Sequence, residues 1–394
     1  MHYFLKADYF IMEDELRQGG YLEVKDGHFG NWRPILPAVE PVIPIIDYGK
    51  ATIAPGLFDT HIHGVGGADV MDGDTTALHR MAALLPAAGV TRFLPTTLTA
   101  GTVELLDCCR KVAELIERPM ENAARAEGIF LEGPFFTEKH KGAQNPRYFK
   151  APDYAEVERL QQASGGHIVK VAVAAEYPEA VPFLEKLRQA GIHGALAHTD
   201  ANFEQADRAM KAGGQIFVHL YNGMSGLHHR EPGVVGTYLH SEHAFAELIA
   251  DGHHVHPAVL AFTAQFKPDR TILITDSMRA GMMPDGEYLL GELAVEVQGG
   301  IARTKKDGSL AGSTLQLLDA VKNMVMWTTL DLAAVWRMAS LNPARSVGMD
   351  GRLGSLRAGK VADFLVLTPD MTLQETWLAG RKIWSAEEKT NANQ

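Results

Sequence analysis

From residue 54 to about residue 330, short apolar runs alternate with amphipathic stretches, a pattern that predicts parallel βα units and not a string of hairpins. Eight runs have the length and apolar density of strands: residues 56–63, 89–94, 128–131, 167–173, 194–197, 214–218, 248–250 and 271–275. Between them, apolar positions three and four apart predict helices over 76–88, 103–117, 178–190, 203–212 and 257–265. Eight is the number of strands that closes a parallel barrel, so the expected fold is α/β, a (β/α)8 TIM-type barrel; an open doubly wound sheet is the alternative. After the eighth strand, residues 287–303 with a Gly299-Gly300 turn predict a hairpin insert, followed by a helix over 313–327.

The two ends of the chain read differently. Residues 3–12, 20–25 and 42–47 form short β patterns punctuated by Gly19-Gly20 and several prolines, and residues 361–367, 373–377 and 380–384 mirror them at the other end. This predicts a small β domain formed from both termini, with residues 1–53 and 354–394 flanking a barrel over 54–353. The polar tail over 387–394 is expected to fray.

Composition narrows the function classes. The 394 residues are 46% hydrophobic and 22% charged, ordinary for a globular protein with a sizeable core. No apolar run approaches the ~18–20 residues that span a bilayer, and the N-terminus has no signal-peptide pattern, so a cytoplasmic location and no membrane partner are expected. A net charge of −11 argues against nucleic-acid binding, and an anionic substrate would need a locally positive site. Adjacent Cys108 and Cys109 are poorly placed to bridge each other and are expected to be reduced, in or near the core.

The candidate chemistry lies where the strands end. In Pro55-Gly56-Leu57-Phe58-Asp59-Thr60-His61-Ile62-His63-Gly64, the two histidines are two residues apart. On a strand such residues share a face, so both imidazoles can serve one metal ion. The third strand ends in Glu132, the fifth in His198, the sixth in His219, the seventh in Asp251 and the eighth in Asp276. Imidazoles and carboxylates at the C-terminal mouth of a barrel suit one or two divalent ions, zinc or iron first. Neutral imidazoles leave the ion enough charge to acidify a water, and the single carboxylate of Glu132 can bridge two ions. Asp276 is the expected proton carrier between the attacking water and the leaving group. His254 is either a substrate hydrogen-bond donor or, with His253 and His256, part of a solvated face. Arg230 offers a planar fork for phosphate beside Asn222 and Gly223; the alternative is a surface pair with Glu231.

Taken together, these segments resemble the N-acetylglucosamine-6-phosphate deacetylases of the amidohydrolase superfamily. The resemblance runs through the first-strand motif, Leu131-Glu132-Gly133-Pro134-Phe135, His219-Leu220-Tyr221-Asn222-Gly223-Met224, Arg230-Glu231-Pro232-Gly233, Ala250-Asp251-Gly252-His253-His254 and Thr275-Asp276-Ser277-Met278. It continues through Leu310-Ala311-Gly312-Ser313, Ser340-Leu341-Asn342-Pro343-Ala344 and residues 354–363, in order over nearly the full length. It implies hydrolysis of the acetamide of N-acetylglucosamine 6-phosphate to acetate and free amine, by a homodimer. It also implies one metal on Glu132, His198 and His219 and another on His61, His63 and Glu132. Asn222, the Gly223 backbone and His254 match substrate-binding positions, and Arg230 matches an arginine that reaches the phosphate in the neighbouring active site. Two positions depart from the common pattern. Lys141-Gly142-Ala143-Gln144 ends in Gln where many members carry His, so Gln144 is expected to hold the acetamide unless a second metal polarises it; Gly223 stands where Ala is common. The epimer N-acetylgalactosamine 6-phosphate, or a binding protein that has lost the chemistry, are the alternatives.

Overall fold

The computed structural model describes residues 1–36 and 43–387. Its centre is a ring of eight parallel strands: β1 (Leu57–Ile62), β2 (Val90–Thr97), β3 (Ile129–Leu131), β4 (Ile168–Val173), β5 (His193–Leu196), β6 (Gly214–Phe217), β7 (Phe245–Ile249) and β8 (Thr271–Ile274). Each strand pairs with the next in chain order. The seam between β8 and β1 is joined at its upper end, where the Asp276 N–H donates to the His61 carbonyl and the His63 N–H to the Ser277 carbonyl, both at 2.9 Å. The barrel expectation therefore holds, and the open sheet is excluded.

β1, β2, β7 and β8 are buried along their entire length, covered on both faces, so none of them alternates apolar with polar positions as a half-exposed strand would. Phe58, Leu94, Phe130, Ala172, Ala195 and Ile216 fill the barrel interior, and a much larger apolar layer lies between strands and outer helices. Cys108 and Cys109 are both free and buried in that layer. β7 begins three residues earlier than its apolar pattern suggested, because Glu247 interrupts the run with a charge that the barrel buries.

Several helices escaped the periodicity. Gly233–His240 is buried along most of its length, so it has no polar face to mark it. Tyr154–Ala163, with Asp153 accepting the Ala155 N–H as N-cap, and the short Leu332–Met338 and Leu341–Ser346 complete the outer layer. The first predicted helix ends early: Thr75–Leu84 is α-helical, and Pro86 falls in a 3₁₀ turn over Leu85–Ala88. The insert after β8 has three antiparallel strands, Gly286–Leu290, Leu293–Gln298 and Ile301–Thr304, so one strand more than a hairpin. The helix after it begins at Leu317, because the Ser313 backbone is paired with Asp276 and Met278 instead.

Both termini build the flanking sheets. One has six strands in the order Arg381–Ser385, Leu373–Leu378, Phe364–Leu367, Thr52–Pro55, Tyr9–Ile11 and Leu16–Gln18. The other has four, His28–Arg33, Tyr21–Lys25, His2–Lys6 and Ile45–Asp47. The predicted run 3–12 is thus two strands in two sheets, packed face to face through Tyr3, Leu5, Phe10, Leu22, Ile53 and Phe364. Val42, the start of the last predicted N-terminal strand, and residues 388–394 of the polar tail lie outside the described residues. The strand Thr52–Pro55 pairs with Phe364–Leu367 and then leads directly into β1, so the terminal sheet sets where the first strand enters the barrel.

Candidate active site

Three of the polar strand-end residues have backbone conformations that few side chains adopt: His198 (φ 45°), His219 (φ 33°) and Asp276 (φ 48°) are left-handed. For a residue with a Cβ this conformation costs about 1–2 kcal/mol, so the surrounding contacts must over-determine it. At each of the three positions the turn comes directly after a barrel strand and brings the side chain over the barrel mouth. His61 near the end of β1 and His63 just past it need no such turn, because residues two apart in an extended chain already face the same way.

Glu132 sits at the centre of the cluster. Its Oε1 is 3.1 Å from His219 Nε2 and 3.6 Å from both His198 Nε2 and His61 Nε2, while Oε2 is 3.3 Å from His63 Nε2. Asp276 Oδ1 closes the other side, 3.4 Å from His61 Nε2 and 3.2 Å from His63 Nε2. Two groups therefore have ligand atoms close enough to share an ion: His61 with His63 and Glu132, and Glu132 with His198 and His219.

The outer nitrogens decide what the inner ones can do. His63 Nδ1 lies 3.1 Å from the Thr96 carbonyl, His198 Nδ1 2.9 Å from the His140 carbonyl, and His219 Nδ1 3.0 Å from the Asn222 carbonyl. A carbonyl only accepts, so these Nδ1 atoms carry hydrogen; His61 Nδ1 faces the Glu247 carboxylate at 3.3 Å with the same result. Any of these rings that is neutral therefore turns a bare Nε2 lone pair inward. His61 Nε2 and His63 Nε2 are only 3.2 Å apart, an arrangement that repels unless positive charge sits between them. The titration tendencies say the same. Burial works against charge on His61 and His63, yet Glu132 and Asp276 overrule it, lifting His61 to about 9 and His63 well above its usual range. Burial likewise opposes ionisation of Asp276, but the two imidazoles hold its carboxyl at about 2. A divalent cation answers this demand, and the donor set of imidazole and carboxylate suits one.

Around the cluster is a cavity of about 150 Å³, walled in part by Gln144, Asn222, Gly223, His254 and the apolar Leu98 and Leu290. His254 donates through Nδ1 to Asp251 at 2.7 Å, and Asp251 also accepts the backbone N–H groups of His253 and His254. Within this histidine run His254 lines the cavity, whereas His253 and His256 are exposed, His256 capping the helix Pro257–Phe266. Gly223 is left-handed, and a Cβ there would meet His198 Nδ1 at 2.9 Å, so an alanine at this position would press on that ring.

Gln144 lines the cavity, and its amide is also tied to the cluster. Its Nε2 donates to Glu132 Oε2 at 2.7 Å and its Oε1 accepts the Thr99 N–H at 2.9 Å, so both ends of the amide are engaged. Arg230 is not among the cavity's walls; it is exposed, with its guanidinium 2.8 Å from His229 Nε2. Sequence reasoning missed Lys170 and Glu247, fully buried charges behind His61. The signal was available, a lone charge within an apolar strand run in each case.

A parallel eight-stranded barrel with imidazoles and carboxylates gathered at its C-terminal mouth is the architecture of a metal-dependent hydrolase. The chain belongs to the amidohydrolase family, whose model matches residues 52–383. It is 42% identical over 341 residues to the N-acetylglucosamine-6-phosphate deacetylase of Vibrio furnissii, covering 86% of this chain and 85% of that protein. It is 38% identical over 382 residues to the N-acetylgalactosamine-6-phosphate deacetylase of Escherichia coli O157:H7, covering 97% and 99%. Among solved structures, a mutant N-acetyl-D-glucosamine-6-phosphate deacetylase from Mycobacterium smegmatis, in complex with N-acetyl-D-glucosamine-6-phosphate, superposes with a TM-score of 0.91 at 32% identity, covering 98% of this chain and all of that one.

Proposed function

We propose that this chain hydrolyses the acetamide of N-acetylglucosamine 6-phosphate, yielding glucosamine 6-phosphate and acetate. The observation that carries the reading is one buried carboxylate, Glu132, shared between two histidine pairs, with Asp276 facing the first pair from the opposite side. His61, His63 and Glu132 would hold one divalent ion, and Glu132, His198 and His219 another, with zinc or iron(II) suited to these donors. Bound there, such ions polarise an amide carbonyl and make water acidic enough to attack it. The chain's own residues do the rest. Asp276 accepts the proton from the attacking water and returns it to the departing nitrogen. His254, oriented by Asp251, donates to a substrate oxygen, while Asn222 and the Gly223 N–H bind the sugar phosphate. Gln144, whose amide is committed to Glu132 and Thr99, serves by keeping Glu132 in register between the two ion sites.

A cytoplasmic homodimer belongs to the same reading, with Arg230 meeting the phosphate in the neighbouring active site. Its exposure away from its own cavity supports that assignment. Among the described residues no helix is long and apolar enough to cross a membrane. Replacing Arg230 with Ala should raise KM for the phosphorylated sugar roughly 10- to 150-fold, the equivalent of the ~1.5–3 kcal/mol typical of a charge-assisted hydrogen bond. Activity on unphosphorylated N-acetylglucosamine should barely change. Equal losses on both substrates would assign Arg230 to the fold or the subunit contact.

The galactosamine epimer is the second reading, favoured by one observation: the Escherichia coli O157:H7 relative matches more of this chain than the Vibrio furnissii one does, 97% against 86%. Acetate release from both epimers, on protein of measured metal content, separates the two. A higher kcat/KM on the glucosamine substrate is expected. A tenfold preference for the other epimer would reassign the substrate, and no acetate from either, with metal present, would leave a binding protein.

A further inference from the structure

Two charges inside the barrel have no part in phosphate recognition or proton transfer. Lys170 on β4 and Glu247 on β7 are fully buried and form an ion pair. Lys170 Nζ also donates to the Thr60 carbonyl at 3.2 Å and lies 3.6 Å from the centroid of the Phe130 ring. The Thr60 hydroxyl donates to Glu247 Oε1 at 3.2 Å. One carboxylate oxygen of Glu247 is thereby held by two donors, and the other, Oε2, accepts the Nδ1–H of His61 at 3.3 Å.

As a source of stability this arrangement is poor, since desolvating two charges offsets most of their attraction and apolar residues of similar volume commonly do as well. Its position suggests a different use. Of the four inward-facing imidazoles, His63, His198 and His219 each hand Nδ1–H to a backbone carbonyl, and His61 alone hands it to a carboxylate. An ionised acceptor makes the stronger hydrogen bond and leaves more electron density on the opposite nitrogen. A lone carboxylate would also bring a full negative charge into the barrel; Lys170 cancels it without occupying Oε2.

We propose that Glu247, held in place by Lys170 and Thr60, is a positioning residue that sets the orientation and tautomer of His61 and so tunes how tightly the His61, His63 and Glu132 group holds its metal ion. The inference rests on the two-ion reading given above. Its distinguishing consequence is asymmetry. The Glu132, His198 and His219 group takes its ring orientations from backbone carbonyls and should not respond.

The test competes the zinc-loaded holoenzyme against a chelator of known affinity and counts the ions released. Two double variants keep the barrel interior neutral and differ in whether an acceptor remains for His61: Lys170→Met with Glu247→Leu, and Lys170→Met with Glu247→Gln. In the leucine variant one ion should be held about 10- to 100-fold more weakly, the scale on which such outer hydrogen bonds act, while the other is unchanged. The weakened ion should be the one missing from His61→Ala. Glutamine restores an acceptor oxygen and should recover part of the loss. Thermal unfolding of each variant is recorded alongside. Both ions held as in wild type by the leucine variant would overturn the proposal. So would equal weakening of both ions with a lowered Tm, which marks a purely structural role. A wild-type protein whose ion content does not change on His61→Ala fails the two-ion reading itself, a result seen before any Glu247 variant is made.

Discussion

Asp276→Asn should fold, load metal and turn over at least about 10²–10⁴ times more slowly in kcat, the range typical of general acid–base catalysis. An amide is a weak electrophile with a poor leaving group, so water activation alone does not complete the reaction; the nitrogen must be protonated before it departs. A carboxylate beside the attacking water can take one proton and return it to nitrogen, and an amide of the same shape cannot. Folding should survive because the backbone of Asp276, not its side chain, joins the barrel seam: its N–H donates to the His61 carbonyl and its carbonyl accepts the Ser313 N–H at 2.8 Å. The imidazoles of His61 and His63 favour the ionised form of the Asp276 carboxyl, the form that can accept a proton. Steady-state kinetics on protein of measured metal content provide the check. A variant retaining more than about a tenth of wild-type kcat, well outside that range, would remove Asp276 from the role and bring His254 forward.

Glu132→Ala should abolish acetate release and weaken both ions, each by more than the roughly 10–100-fold that loss of an outer hydrogen-bond partner costs. The reason is geometric: Oε1 faces His198 and His219 while Oε2 faces His63, so a single truncation takes a ligand from both groups. His61→Ala removes a ligand from one group only and should lower metal content by about one equivalent per subunit. Glu132→Ala also strands the Gln144 amide, and an unpaired buried donor costs about 1–3 kcal/mol, so a lower Tm should accompany the metal loss. Elemental analysis of the three proteins, purified side by side, reads the difference. Equal metal content in wild type and Glu132→Ala would sink the shared-carboxylate reading.

Much of this was legible before any coordinates, for reasons that lie in local physics. Strand burial writes itself as apolar runs, and the eight runs found the barrel. Strand periodicity put His61 and His63 on one side from their spacing alone. The ends of the other runs identified Glu132, His198, His219 and Asp276, because in a parallel barrel those ends converge. The limits were equally physical. β7 read short because a buried charge broke its pattern, and that charge has its explanation in Lys170, 77 residues away in the chain. The helix Gly233–His240 was invisible because burial on nearly all sides removes the amphipathic signal.

By itself, then, the sequence determined the barrel, the sheets built from both termini, and the set of strand-end residues available for chemistry, since each depends on patterns within a few residues. Only the tertiary structure decided how those residues are wired. It paired the outer nitrogens of His61, His63, His198 and His219 with Glu247, Thr96, His140 and Asn222, tied the Gln144 amide in the cavity wall to Glu132 and Thr99, and sorted His254 from its exposed neighbours. The Asn222 carbonyl is a local partner, three residues from His219, but the acceptors of His61, His63 and His198 lie on distant segments that meet these rings only when the barrel closes.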